Sequence, residues 1–157
     1  MLDTNFINPF ILGAVQALKV QGGLQVEGGK PFLKGKEPMP PISIAGQLGL
    51  TSTQFKGALT ISFEEKVYLK MMSFMLGEEF TEITPDIQDG AAEILNIIYG
   101  SAKSQLNPKG YTFDRAIPTV VRGADLQTSH GRAIPSIIIP IRSEFGFAFI
   151  EISIDAI

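Results

Sequence analysis

Ile42-Ser43-Ile44-Ala45-Gly46-Gln47-Leu48-Gly49-Leu50-Thr51-Ser52-Thr53-Gln54-Phe55-Lys56-Gly57-Ala58-Leu59-Thr60-Ile61-Ser62-Phe63 reads as two strands joined by a short turn. Ile42, Ile44, Leu48 and Leu50 alternate with Ser43, Ala45 and Gln47, and Phe55, Leu59, Ile61 and Phe63 alternate with Lys56, Ala58, Thr60 and Ser62. Successive side chains on a strand point to opposite faces, so a period of two turns one row toward a core and the other away from it. Thr51 to Gln54 supplies the turn, and the pair is predicted to be an antiparallel hairpin.

Toward the C-terminus, Ser62-Phe63-Glu64-Glu65 matches a capping box and predicts a helix immediately after the hairpin. Val67, Met71, Phe74 and Met75 would form its apolar face, with Gly77 as its stop. Thr84-Pro85-Asp86 predicts the start of a long helix that runs to about Leu106, where Asn107-Pro108-Lys109-Gly110 breaks it. Three strands are expected after that: Tyr111 to Arg122, Ala133 to Ser143 and Phe145 to Ile154. Pro140 cannot donate to a ladder, so its strand is expected at an edge or a bulge, and such an edge would be available as a dimer contact.

Toward the N-terminus, Asn8-Pro9 has the form of a helix start, although the first turn can equally begin at Asp3 and leave Pro9 early in the helix. Gly22-Gly23 ends that helix, the glycine- and lysine-rich stretch through Gly28-Gly29 and Gly35 reads as one loose strand with turns, and Pro38 to Pro41 is a stiff connector. The order is helix, strands, two helices, strands. It predicts an α+β fold, a mainly antiparallel sheet packed with two long helices and one shorter helix, in a single domain over residues 1–157.

Composition narrows the function. Of 157 residues, 45% are hydrophobic and 18% charged, with a mean hydropathy of +0.20, which argues against disorder. A net charge of −3 with scattered lysines and arginines gives no support for binding nucleic acid or an anionic lipid surface. There is no cysteine, hence no thiol nucleophile, disulfide framework or cysteine–zinc site. The N-terminus lacks the basic flank and apolar run of a signal peptide, and no stretch approaches the roughly 20 apolar residues of a membrane span, so a cytoplasmic protein is expected. His130, the only histidine, lies in the polar run Gln127 to Gly131 and is expected in a surface loop; no metal site is predicted. Gly46-Gln47-Leu48-Gly49 sits within a strand pattern and precedes no helix, so it is not a nucleotide loop.

The long helix carries the candidate site. At about 100° per residue, Ile87, Ala91, Ile94, Leu95, Ile98, Ala102 and Leu106 fall in one apolar stripe that must face the sheet. Asp89, Glu93, Asn96 and Gly100 fall in one line on the opposite side. Glycine inside a helix costs roughly 0.8–1.0 kcal/mol relative to alanine, and helix termination does not explain Gly100. A missing side chain on an exposed face lets another surface approach closely. On spacing alone, the plainer reading is a solvated polar face with one tolerated glycine.

Asp89-Gly90-Ala91-Ala92-Glu93-Ile94-Leu95-Asn96-Ile97-Ile98-Tyr99-Gly100 resembles the signature helix of the CheC/CheX/FliY phosphatases, Glu-x-x-Asn followed four residues later by Gly. Asn5-Phe6-Ile7-Asn8-Pro9-Phe10 resembles the CheX amino terminus, and the order of elements is similar over nearly the whole chain. The resemblance implies hydrolysis of the aspartyl phosphate on a CheY-like response regulator. Glu93 would pair with the lysine beside the receiver's phosphoaspartate, and Asn96 would orient the attacking water. Asp89 and Gly100, by their shared face, would belong to the partner-binding surface. The resemblance implies no cofactor of the chain's own, with Mg2+ in the partner receiver. CheC-type relatives carry the motif twice, but the first helix here has none, so one site per chain is expected. A homodimer is also expected, by resemblance to CheX.

The chemistry suits the residue types. Phosphoryl transfer needs positioning and charge stabilisation more than covalent help. A further carboxylate near the phosphoryl oxygens would be repelled, whereas a neutral amide holds water through both donor and acceptor. A carboxylate is suited to gripping a lysine. The rival reading is a non-catalytic receiver-binding or adaptor module that uses the same helix face.

Overall fold

The computed structural model describes residues 4–126 and 135–156. His130 and its predicted surface loop lie outside the described residues. The elements are α1 (Thr4–Gln16), continued by a π-helical turn (Ala17–Gln21), β1 (Val26–Gly28), β2 (Phe32–Leu33), β3 (Ile44–Thr51), β4 (Phe55–Phe63), α2 (Glu65–Leu76), α3 (Gly90–Leu106), a 3-10 turn (Asn107–Lys109), β5 (Thr119–Arg122), β6 (Ser136–Ser143) and β7 (Gly146–Ala156). The strands form a seven-stranded antiparallel sheet of order β1-β6-β7-β4-β3-β5, with β2 also paired to β6. The α+β class and the mainly antiparallel sheet with three helices are as predicted.

The β3–β4 hairpin has the register its alternation demands. Ile44 lies opposite Phe63, Gly46 opposite Ile61, Leu48 opposite Leu59 and Leu50 opposite Gly57. These residues share a face with Ile150 and Ile152 of β7 and Ile139 and Ile141 of β6. On that face α1 and α3 bury Phe6, Phe10, Ala14, Ala91, Ile94, Leu95, Ile98 and Ala102, all at 0% exposure.

Several local expectations change under tertiary packing. Of the two starts allowed for α1, the earlier is correct: the helix includes Pro9, and Asn8 is not its cap. The first turn persists because Phe6 is buried, 5.5 Å from Phe10 and 5.1 Å from Tyr111 between ring centroids. Burial of such rings outweighs the one hydrogen bond that proline cannot make. The loose N-terminal strand is two short ones, β1 and β2.

The capping box does not form. Ser62 stays in β4, buried and paired with Ala45 and Phe149, while Glu64 takes the N-cap position in an extended conformation. The Glu64 carboxylate instead accepts a 2.5 Å hydrogen bond from the Phe147 amide and so ties α2 to β7. The buried face of α2 is Val67, Tyr68, Met71 and Met72; Phe74 is 59% exposed, its ring lying where a Cβ on Gly23 would be. Gly77 ends α2 in the left-handed conformation (φ +69°), as its position suggested.

Of Tyr111 to Arg122, only Thr119–Arg122 pairs, and it does so with β3. The preceding segment packs its rings inward instead, with Phe113 5.3 Å from Phe55 and 5.9 Å from Tyr99. Pro140 is not on an edge: β6 lies between β7 and the β1/β2 pair, so the edge-mediated dimer contact expected there has no such edge. Proline fits because its outer neighbour is split. β1 pairs with Ile141–Ser143, β2 with Ile137 and Ile138, and opposite Pro140 the linker residue Gly29 donates to its carbonyl at 2.7 Å. The missing N–H faces that gap, where no ladder bond is lost.

Candidate functional site

The predicted apolar stripe is buried: Ile87, in the turn before α3, and Ala91, Ile94, Leu95, Ile98, Ala102 and Leu106 of α3 are each at most 1% exposed. The helix is seated closely. A Cβ on Gly46 of β3 would meet the Ala91 carbonyl oxygen at 2.9 Å, and one on Gly13 of α1 would meet the Ile98 carbonyl oxygen at 3.3 Å. At both places the absent side chain lets backbone approach backbone.

The opposite face is open. Asp89, Glu93, Asn96 and Gly100 are all exposed. Glu93 and Asn96 stand three residues apart on a continuous helix, a spacing that puts their Cβ atoms about 5–6 Å apart. Gly100 differs from Gly13 and Gly46, because a Cβ there would meet nothing within 4 Å. The chain's own packing therefore does not require glycine at this position.

Asp89 sits otherwise than the helical line predicted. Residues 85–89 are a turn, and α3 begins at Gly90 with Asp89 as its N-cap (φ −71°, ψ −11°). At that break stands Tyr68 of α2, whose buried hydroxyl donates to the Ile87 carbonyl at 2.5 Å and accepts from the Ala91 amide at 3.1 Å. In a continuous helix Ala91 N–H would bond directly to the Ile87 carbonyl, so the phenol stands inside that link and separates turn from helix. Burial pushes the Tyr68 phenol well above its usual range, which keeps it protonated and able to donate. Tyr68 was not singled out in the sequence. Its helical spacing to Met71 and Met72 is visible there, but its bond to a turn 19 residues away is not.

Beside Asn96 and Gly100 runs a shallow groove between α1 and α3, with a volume of about 170 Å3, bordered by Gly13, Gln16, Ala17, Val20, Gln21, Ile97 and Ser101. Val20 on the π-helical turn is 69% exposed and Ile97 39%. Larger cavities, about 370 Å3 beside α1, about 370 Å3 beside Arg142 and about 320 Å3 beside Glu151, include neither Glu93 nor Asn96. The carboxylate and the amide thus project from a convex helix surface. Groups so placed can act by entering another molecule's pocket rather than by enclosing a substrate. Among the described residues there is no cluster of three or more metal-ligating side chains, and no helix is long and apolar enough to cross a membrane.

Residues 44–142 match the family model described as chemotaxis phosphatase CheX. The chain belongs to the CheX family. Solved structures agree over the whole fold. A CheC-like superfamily protein from Shewanella sp. PV-4 is 37% identical, with 98% of this chain and 99% of that one covered and a TM-score of 0.90. The chemotaxis protein CheX from Vibrio vulnificus is 34% identical, with 96% and 99% covered and a TM-score of 0.88. A structure of the Borrelia burgdorferi CheX–CheY complex with BeF3 and Mg2+ superposes with a TM-score of 0.78 at 23% identity, covering 98% of this chain and 99% of that one. No curated protein sequence matches the chain. The fold is accordingly the CheC-like α+β fold.

Proposed function

We propose that this CheX-family chain is a protein aspartyl-phosphate phosphatase that acts on a CheY-type response regulator, with Asn96 and Glu93 as its catalytic pair. The observation that carries the reading is the outward line on α3: a carboxylate, an amide one turn on, and a glycine that nothing in the chain's own packing requires. The Borrelia relative was solved with CheY, BeF3 and Mg2+, which supports a receiver as partner and Mg2+ as the receiver's ion.

In this reading Glu93 grips the receiver's active-site lysine and Asn96 enters beside the phosphorus. Its side-chain oxygen accepts from a water and its NH2 donates, so the water is held in line with the bond to be broken. The water oxygen bonds to phosphorus as the phosphorus–aspartate oxygen bond breaks, and the aspartate leaves as carboxylate. The water proton ends on the released phosphate. Asp89 and Gly100 form the rim of the docking surface, with Gly100 as the point of closest approach. The working assembly is a cytoplasmic homodimer with one site per chain.

The test is dephosphorylation of a phosphorylated receiver by the wild-type chain and by Asn96→Ala. Loss of a positioning amide costs on the order of 10²–10³ in rate, with the fold retained. Near-normal turnover by Asn96→Ala would overturn the assignment. Wild-type protein that binds the receiver without shortening its phosphate's lifetime would make the chain an adaptor.

A further inference from the structure

We propose that Tyr68 is a positioning residue for this site: by holding its hydroxyl between Ile87 and Ala91 it sets where α3 begins and how Glu93 and Asn96 are presented. The proposal rests on the catalytic reading of those two residues and extends it to a third that never touches the partner.

Tyr68 is 0% exposed and comes from α2, an element that bears none of the outward residues. Its hydroxyl takes the two backbone groups that would otherwise bond to each other, and it also lies 3.2 Å from the Gln88 carbonyl. Three contacts converge on the same turn. A Cβ on Gly90 would collide with the Met72 sulfur and lie 2.8 Å from the Tyr68 hydroxyl, so the helix start rests directly on α2. The Ala91 amide is held by Tyr68 while its carbonyl lies against Gly46 of β3. Ala91 is thus fixed from two sides, two residues before Glu93 and five before Asn96.

Without the phenol oxygen, the buried Ala91 amide loses its partner and the Ile87 carbonyl keeps only the 3.4 Å bond from the Gly90 amide. Their simplest remedy is to bond to each other, which extends α3 back through residues 87–89 and shifts the helix start. For a site that works by insertion, the register and direction of the helix decide whether the amide reaches the water. A misplacement of about 1 Å can cost on the order of 10²-fold in rate.

The test uses the full chain and a phosphorylated receiver, with kcat, KM and melting temperature measured for Tyr68→Phe, Met72→Ala, Asn96→Ala and the Tyr68→Phe/Asn96→Ala double variant. Tyr68→Phe is expected to lose about 10- to 100-fold in kcat, with KM changed far less. Met72→Ala removes packing from the same turn but no hydrogen bond, and is expected to melt earlier with kcat preserved. In the Asn96→Ala background, loss of the phenol oxygen is expected to bring no further decrease. If Tyr68→Phe does not fold, Gly90→Ala, which crowds the hydroxyl from the helix side, takes its place with the same expected loss of kcat. Normal kcat for Tyr68→Phe beside an inactive Asn96→Ala would overturn the role of Tyr68 alone. An equal kcat loss in Met72→Ala would overturn it as well, since the effect would then be general destabilisation. An active Asn96→Ala would remove the catalytic reading and this proposal with it.

Discussion

The backbone carbonyl of Asp89 accepts a 3.1 Å hydrogen bond from the amide of Glu93, so the Asp89 cap stands one turn below Glu93 at the start of the exposed row on α3. Both carboxylates lie at the positive end of the helix dipole. The N-terminal half of the row is therefore anionic, while Asn96 and Gly100 leave the remainder uncharged. A partner that presents a lysine toward Glu93 and an anionic phosphoryl group toward Asn96 fits that order.

Glu93→Ala is expected to raise KM for the phosphorylated receiver and to lower kcat, whereas Asn96→Ala acts mainly on kcat. Because the proposed Glu93–lysine contact is between charges, its share of binding should shrink as salt rises and the screening length shortens. Titrating the receiver at low and high ionic strength checks this. A Glu93→Ala variant whose binding keeps the wild-type salt dependence would contradict it.

Gly100→Ala should separate stability from activity. A Cβ there meets nothing in the chain, so the substitution is expected to stabilise the fold by about 0.8–1.0 kcal/mol through helix propensity. In the proposed docking the same methyl would stand where the partner approaches, and it should weaken receiver binding by about tenfold or more. Thermal melting and a binding titration on one sample provide both numbers, and unchanged affinity would remove Gly100 from the docking surface.

Gly46→Ala should do the reverse. The new Cβ would lie 2.9 Å from the Ala91 carbonyl oxygen, a backbone atom that cannot rotate away. Overpacking of this kind costs typically 1–3 kcal/mol, so the melting temperature is expected to fall. The alanine lies on the buried side of α3, so activity should drop through displacement of the helix rather than through direct contact.

The pH dependence follows from Tyr68. Burial raises its folded phenol above the unfolded value near 10, so the folded state holds that proton where the unfolded state releases it. Its contribution is fully present below about pH 10 and declines as pH rises above that. Denaturant unfolding between pH 8 and 11 should show stability falling at the alkaline end, with a shallower fall in Tyr68→Phe.

The β3–β4 hairpin was legible because strand alternation is a local record of which face is buried. The α3 stripe was legible for the same reason at the helical period. Glu93, Asn96 and Gly100 follow once the stripe is known, and Gly100 was visible as a helix-interior glycine. Where tertiary contacts competed with local signals, reading failed. Ser62-Phe63-Glu64-Glu65 has the letters of a capping box, yet the ladder kept Ser62 and β7 claimed the Glu64 carboxylate. Thr84-Pro85-Asp86 has the letters of a helix start, yet Tyr68 holds the following turn apart from α3.

By itself, then, the sequence determined the main periodicities: the alternation of the β3–β4 hairpin and the apolar stripe of the long helix. It also determined that Glu93 and Asn96 share a helix face, because a spacing of three residues fixes their relative direction. Only the tertiary structure decided where α3 starts, that Pro140 lies inside the sheet, and that Gly13 and Gly46 serve close packing while Gly100 does not. The reason is range. Periodicity arises from bonds between near neighbours in the chain, whereas the fate of a hydroxyl, a proline nitrogen or a missing Cβ depends on groups that only folding brings within a few ångströms.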